Sequence, residues 1–195
     1  MLVQLPPDTG WEVFKETVRG KRKGLKTIAV DTISGLYTLC MQHVCAANNW
    51  KHPADGAHGK GWDAVKREFM DGLQRLTYLA DSNKATLVII DHSKRELIET
   101  TTANIEKVVC AMSGQARGTV MPIPDHIWFL GYEESDPKDA LRNVTAKRSL
   151  FVSGDSNIEA GCRDPKVKVK IITPLSKKNP YEQIVSTLYG KEEQQ

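Results

Sequence analysis

No two cysteines in this sequence have the Cys-x-x-Cys spacing of a zinc ribbon or a redox dithiol, because the four thiols stand apart at Cys40, Cys45, Cys110 and Cys162. Reduced thiols in a cytosolic compartment are expected. No stretch approaches the roughly 18 consecutive apolar residues of a membrane span, and nothing near the beginning reads as a signal peptide. A soluble, cytoplasmic protein follows as the expectation. Charge of one sign does not dominate either. The net charge of +3 and a pI of about 8.6 permit nucleic-acid contact without demanding it. Internal repeats and low-complexity tracts are absent, which argues against a repeat array.

The phosphate-binding motifs are missing too. A P-loop reads Gly-x-x-x-x-Gly-Lys-Ser/Thr because backbone N–H groups cradle the phosphates, the lysine neutralises them and the hydroxyl binds Mg²⁺. Gly-Lys occurs at Gly20, Gly59 and Gly190, but the residues five places earlier are Lys15, Ala54 and Val185, and no Ser or Thr follows. Gly59 and Gly61 do not complete a Gly-x-Gly-x-x-Gly either, since Ala64 stands at the third position.

What is present is an ordinary globular composition, 40% hydrophobic and 26% charged. The 195 residues suit one domain, which commonly takes about 100 to 200. Residues 1–24 form a lead-in with an amphipathic helix carrying Trp11, Phe14 and Val18. Residues 25–92 hold two apolar strands, one around Ile28 and Val30 and one reading "ATLVIID" at 85–91. The first is expected to be buried on both faces of a parallel sheet.

Between these strands lie a helix with Ile33, Leu36, Tyr37, Cys40 and Val44 on one stripe, the loop "WKHPADGAHGKG", and a helix carrying Val65, Phe69, Leu73 and Leu76. Strand, helices, strand implies a parallel crossover. Residues 93–124 are polar, with weak helical patterning over Ile105 to Met112. Residues 125–195 contain "HIWFLGY", "RSLFVSG" and "VKVKIITP", read as three strands, and a closing helix with Asn179 as cap, Pro180 at its first position and Gly190 at its end. The expected fold class is α/β, a mostly parallel sheet flanked by helices.

Asp31 and Asp91 each end an apolar strand. In open parallel sheets ligands bind beyond the carboxyl ends of the strands. A carboxylate there either holds Mg²⁺ through water or caps the next helix. His52, Asp55 and His58 could ligate a metal but lie on a Pro/Gly loop without fixed spacing, so a surface loop is the plainer reading. Cys40 and Cys45 are expected on different faces of their helix, with no base assigned to either.

The segments "TIAVDTISGLYTLCMQHV", "HPADGAHGKGWDAVKREFMDGLQRL", "TLVIIDHSK" and "IEAGCRD" occur here in the order found in phage and prophage RecA-like ATPases linked to single-strand annealing and recombination. The chain resembles that family from about Lys26 to Arg163, most specifically in "HGKGW". The resemblance implies a RecA-like P-loop NTPase core, with ATP and Mg²⁺ as cofactors. By it Asp31 is the Walker B acid holding Mg²⁺ through water, Thr32 supports it, and His92 with Ser93 occupies the sensor position. It also implies single-stranded DNA as partner and a homo-oligomeric ring or filament in a bacterial or phage-infected cell.

In that family the P-loop lies upstream of the Walker B strand, roughly where this chain begins. The expectation is an N-terminally incomplete core or a version that has lost its phosphate cradle. Residues 1–195 by themselves are then expected to hydrolyse ATP no faster than a buffer control. DNA candidates are Lys51, Lys60, Lys94 and Arg95, which are otherwise solvated surface cations. Trp62 is read as core at the head of its helix. Arg163, Lys168 and Lys170 are candidates for reaching a neighbour's nucleotide, although "KVKVK" equally suits a lysine-protected edge strand. Two alternatives stand: a non-enzymatic DNA-binding or assembly module with a degenerate nucleotide site, and a metal-dependent phosphoesterase using Asp31 and Asp91.

Overall fold

The structure is a computed structural model that describes residues 3–20, 22–99, 104–132 and 147–190. Parts of the polar region (100–103) and of the C-terminal region (133–146 and 191–195) lie outside the described residues. The chain divides into two compact units, Met1–His92 with Cys110–Pro122, and Ser93–Val109 with Ile123–Gln195.

In the first unit, α1 (Gly10–Arg19), α2 (Ile33–Ala47) and α3 (Lys60–Asn83) pack together beside β1 (Thr27–Asp31) and β2 (Thr86–Ile90). Helical spacing sets the buried stripes. Trp11, Phe14 and Val18 of α1, Ile33, Leu36, Tyr37, Cys40 and Val44 of α2, and Val65, Phe69, Leu73 and Leu76 of α3 are all buried. Tyr37 meets Phe69 edge-on at 5.0 Å between ring centroids, and Trp11 lies against Phe14 at 5.1 Å. A short helix α4 (Gly114–Val120) is tied in by Gln115, which accepts from the Tyr37 hydroxyl at 3.0 Å and donates to the Trp62 carbonyl at 3.3 Å.

β1 and β2 pair in parallel with Thr27 opposite Thr86 and Asp31 opposite Ile90, as the strand-helix-strand order requires. Burial on both faces is not what the pair shows. Exposure alternates along both strands, and Val88 and Ile90 are 38% and 42% exposed. The helices cover one face only, so residues on the other pleat stay open to solvent.

In the second unit β3 (Ser93–Glu99) pairs with β4 (Asn104–Cys110). The weak helical pattern at Ile105 to Met112 was misleading. Ile105, Val108 and Val109 satisfy i, i+3, i+4, but the run is β-branched and finds a ladder partner in β3. "HIWFLGY" breaks at Trp128 into β5 (His126–Ile127) and β6 (Phe129–Tyr132), because its halves pair with different partners. β5 runs antiparallel to β8 (Gly161–Cys162), and β6 antiparallel to β7 (Arg148–Phe151). β7 in turn pairs with β9 (Ile171–Ile172).

The expected mostly parallel sheet is therefore corrected. Among the described residues β1 and β2 form the parallel pair, and the sheets are small. Only Ile171 and Ile172 of "VKVKIITP" are strand, yet its alternation holds: Val167 and Val169 pack on a core of Leu150, Val152, Ile172 and Leu188 while Lys166, Lys168 and Lys170 are exposed. Helix α5 (Pro180–Tyr189) closes the described chain, with the Asn179 side chain accepting from the Glu182 N–H at 3.2 Å.

Candidate functional site at the carboxyl end of β1 and β2

Parallel pairing in register brings the two acids to the same end of the first unit's sheet. They are held very differently. Asp91, just past β2, accepts the Ser34 hydroxyl at 2.8 Å, the Ser34 N–H at 3.4 Å and the Cys110 thiol at 3.1 Å. It thereby satisfies an orphan N–H in the first turn of α2, a helix that precedes it in sequence. Asp31 does none of this. Its carboxylate is exposed and makes no hydrogen bond or ion pair among the described residues.

Capping of α2 falls to Thr32. Its Oγ1 accepts from the Gly35 N–H at 3.1 Å, and its carbonyl accepts from Leu36 N–H at 3.1 Å. The Asp31–Thr32 peptide is cis. Asp91 secures local structure, whereas Asp31 is left with its lone pairs unclaimed.

The donor chemistry of this end suits Mg²⁺. Mg²⁺ binds hard oxygen and typically takes only one or two carboxylates beside phosphate oxygens and water. Asp31 supplies one such carboxylate, with the Thr32 hydroxyl adjacent in sequence. A multi-residue metal cage is not built, since no group of three or more His, Cys, Asp or Glu among the described residues could hold a metal. His92 follows Asp91 with an exposed side chain, while its carbonyl is fixed by the Ala111 N–H at 2.8 Å.

The division of labour between the acids gives a stability contrast. Asp91→Ala is expected to cost about 1.5–3 kcal/mol, the range for hydrogen bonds to a charged group, whereas Asp31→Ala should stay within about 0.5 kcal/mol of wild type. Urea denaturation of both variants measures this; equal costs would contradict the assignment.

The other residues singled out in the sequence are dispersed. Lys51 and Lys60 in the first unit are exposed, one before the Pro53–Asp55 turn and one opening α3. In the second unit Ser93 opens β3, Lys94 pairs with Glu96 at 3.1 Å, and Arg95 pairs with Glu106 at 3.1 Å. Arg163 lies 3.9 Å from the Asp125 carboxylate and donates its backbone N–H to the Asp125 carbonyl; Lys168 and Lys170 are exposed.

A capping box fixes His52 and Asp55 in their loop, while His58 is exposed with a φ of 56°. His52 Nδ1 accepts from Ala54 N–H, and Asp55 Oδ2 accepts from the N–H groups of Lys51 and His52. Trp62 is half-buried and meets His52 edge-on at 5.3 Å. Cys40 and Cys45, expected on different faces, are both buried, and burial raises both thiol pKa values above the ordinary range. Neither is an activated nucleophile. Ser34 and Cys110 were not anticipated. Ser34 stands at the second position of a helix after an Asp-Thr strand end, a placement that could have suggested it, while nothing in the sequence links Cys110 to Asp91.

No curated protein matches the chain, and no solved structure does. A family profile described as an AAA domain matches residues 4–163, which covers α1, both strands of the parallel pair, the two acids and Arg163. No helix among the described residues is long and apolar enough to cross a membrane. By that match, over most of its length, the chain belongs to the AAA domain family of P-loop NTPase-type, nucleotide-binding modules.

Proposed function

We propose that this chain is the Walker B-to-sensor part of a RecA-like ATPase that acts on single-stranded DNA in phage-type recombination or annealing. The observation that carries the reading is the contrast at one sheet end: Asp91 is consumed by Ser34 and Cys110, while Asp31 is exposed and unengaged. Mg²⁺, when bound with ATP, neutralises phosphate oxygens. Asp31 would hold it through water, and the Thr32 hydroxyl, fixed as the cap of α2, would support that position. His92 with Ser93 would report on the γ-phosphate. The change alters the hold on DNA by Lys51, Lys60, Lys94 and Arg95, whose phosphate contacts displace counterions. In a ring or filament Arg163, Lys168 and Lys170 reach a neighbour's nucleotide; the exposure of the two lysines supports this.

The test is ATP hydrolysis by the protein as its gene encodes it, with and without single-stranded DNA. DNA should stimulate turnover, and Asp31→Asn should lower kcat at least about 100-fold, the scale for losing one electrostatic contributor to the transition state. Turnover unaffected by Asp31→Asn would refute the assignment. DNA binding with no ATP dependence would replace it with the non-enzymatic module.

A further inference from the structure

The run from Arg19 to Lys26, "RGKRKGLK", holds five cations and no acid. It forms the link between α1 and β1. In the first unit an open cleft of about 400 Å³ is lined by Arg19 at the end of α1, by Arg22 and Lys23 that follow it, and by Arg75 and Tyr78 from α3. Its place follows from the topology. The link leads into Thr27, α3 leads into Thr86, and these two residues are register partners. The cleft therefore lies at the amino end of β1 and β2, the opposite end of the sheet from Asp31 and Asp91.

We propose that this cleft binds the phosphate backbone of single-stranded nucleic acid, with Tyr78 as a base-stacking platform. The proposal deepens the single-stranded DNA reading above and places contact on a surface that reading does not use.

Charge is the first support. Four cations line the cleft, three of them arginines, whose planar forks match phosphate oxygens. Glu16 and Asp71 offset part of this. Arg19 lies 3.5 Å from Glu16, and Arg75 donates to Asp71 at 2.8 and 3.2 Å. Those pairs are solvent-exposed, with 51% and 76% of the Arg19 and Glu16 side chains and 41% and 45% of Arg75 and Asp71 accessible. The single 3.5 Å contact of Arg19 with Glu16 is weak, so a phosphate can compete for that guanidinium, whereas the two-point Arg75–Asp71 pair holds its guanidinium more firmly. Lys23 is exposed and pairs with nothing among the described residues.

Tyr78 is the second support. It is 74% exposed and stands three residues beyond Arg75, so ring and guanidinium share one face of α3. Most of the tyrosine's surface is therefore open to solvent. Its ring face can take a base, which a single strand offers and a duplex does not. Val18 and Leu79 also line the cleft and are themselves buried.

The test is fluorescence anisotropy with a labelled oligothymidylate of about 20 nucleotides over a salt series, with circular dichroism checking the fold of each variant. Arg22→Ala/Lys23→Ala should weaken binding at least about tenfold near 0.1 M salt and reduce the salt slope by roughly 0.7 per cation removed. Tyr78→Ala should weaken binding about fivefold or more with the slope unchanged. If only Lys94→Ala/Arg95→Ala weakens binding, the cleft is refuted and the DNA reading survives. No binding by the wild type refutes both. Vesicles rich in phosphatidylserine that bind as tightly through the same cations refute the single-strand assignment.

Discussion

Trp11→Ala is expected to remove about 3–5 kcal/mol of stability, the range for truncating a fully buried aromatic. The indole is 1% exposed and lies against Phe14 and Phe69. Its Nε1–H donates to Glu68 Oε1 at 2.7 Å, and the Lys15 ammonium donates to the same oxygen at 2.8 Å. Truncation thus opens a cavity between α1 and α3 and takes a partner from a half-buried carboxylate. Total stabilities of small domains run about 5–15 kcal/mol, so the loss would leave the first unit close to unfolding. Urea midpoints followed by far-UV circular dichroism measure it. A loss below about 1 kcal/mol would mean that α1 is not anchored this way.

Glu68 adds a pH dependence. Burial pushes its pKa up, but the hydrogen bonds from Lys15 and Trp11 outweigh this and hold it below the ordinary value of 4.5. A folded-state pKa below the unfolded one gives stability that is present above the unfolded value and lost as pH falls through the folded value. Wild type should therefore lose stability progressively below about pH 4.5, and Trp11→Ala should lose less over the same range.

Gly61→Ala carries the second large expected effect, a cost of about 2–3 kcal/mol. A Cβ on Gly61 would stand 1.9 Å from the Pro53 carbonyl oxygen and 2.8 Å from its carbon, which are backbone atoms that cannot rotate aside. Overpacking typically costs about 1–3 kcal/mol and sometimes more; an approach this close to fixed backbone takes it to about 3–4 kcal/mol, of which the gain in helix propensity returns only about 1 kcal/mol. Gly59 serves differently. Its φ is +78 with open space around it, so Gly59→Ala should cost about 1–2 kcal/mol, the penalty for a left-handed alanine. Comparing the two variants by thermal unfolding checks the order. If Gly59→Ala proved the more damaging, the close approach to Pro53 would be wrong.

These glycines explain the "HGKGW" stretch in backbone terms. Gly59 turns the chain into α3, and Gly61 lets the start of that helix pass under the Pro53 turn. Both act on chain geometry.

Much of the first unit could be read from sequence because its helices are long and periodic. The stripes through Trp11, Ile33 and Val65 and the parallel pairing of the two strands all follow from spacing. The strands of the second unit were harder. Ile105 to Cys110 satisfies helical and strand patterns at once, and only the pairing with β3 decides. The break of "HIWFLGY" at Trp128 likewise depends on which partners its halves meet. At the site, both acids were visible as strand ends, but their unequal engagement was not. Asp91 is claimed by Ser34 and Cys110, residues 57 and 19 positions away, and such distances leave no trace in local pattern.

The central claim is that Asp31, and not Asp91, is the metal-holding acid. Paramagnetic broadening of backbone amides by Mn²⁺ with ADP, in ¹⁵N-labelled residues 1–195, tests it most directly because it registers even weak binding. Broadening should centre on Asp31, Thr32 and Ser34, vanish in Asp31→Asn and persist in Asp91→Asn. Broadening that survives Asp31→Asn, or that centres on another part of the chain, would contradict it.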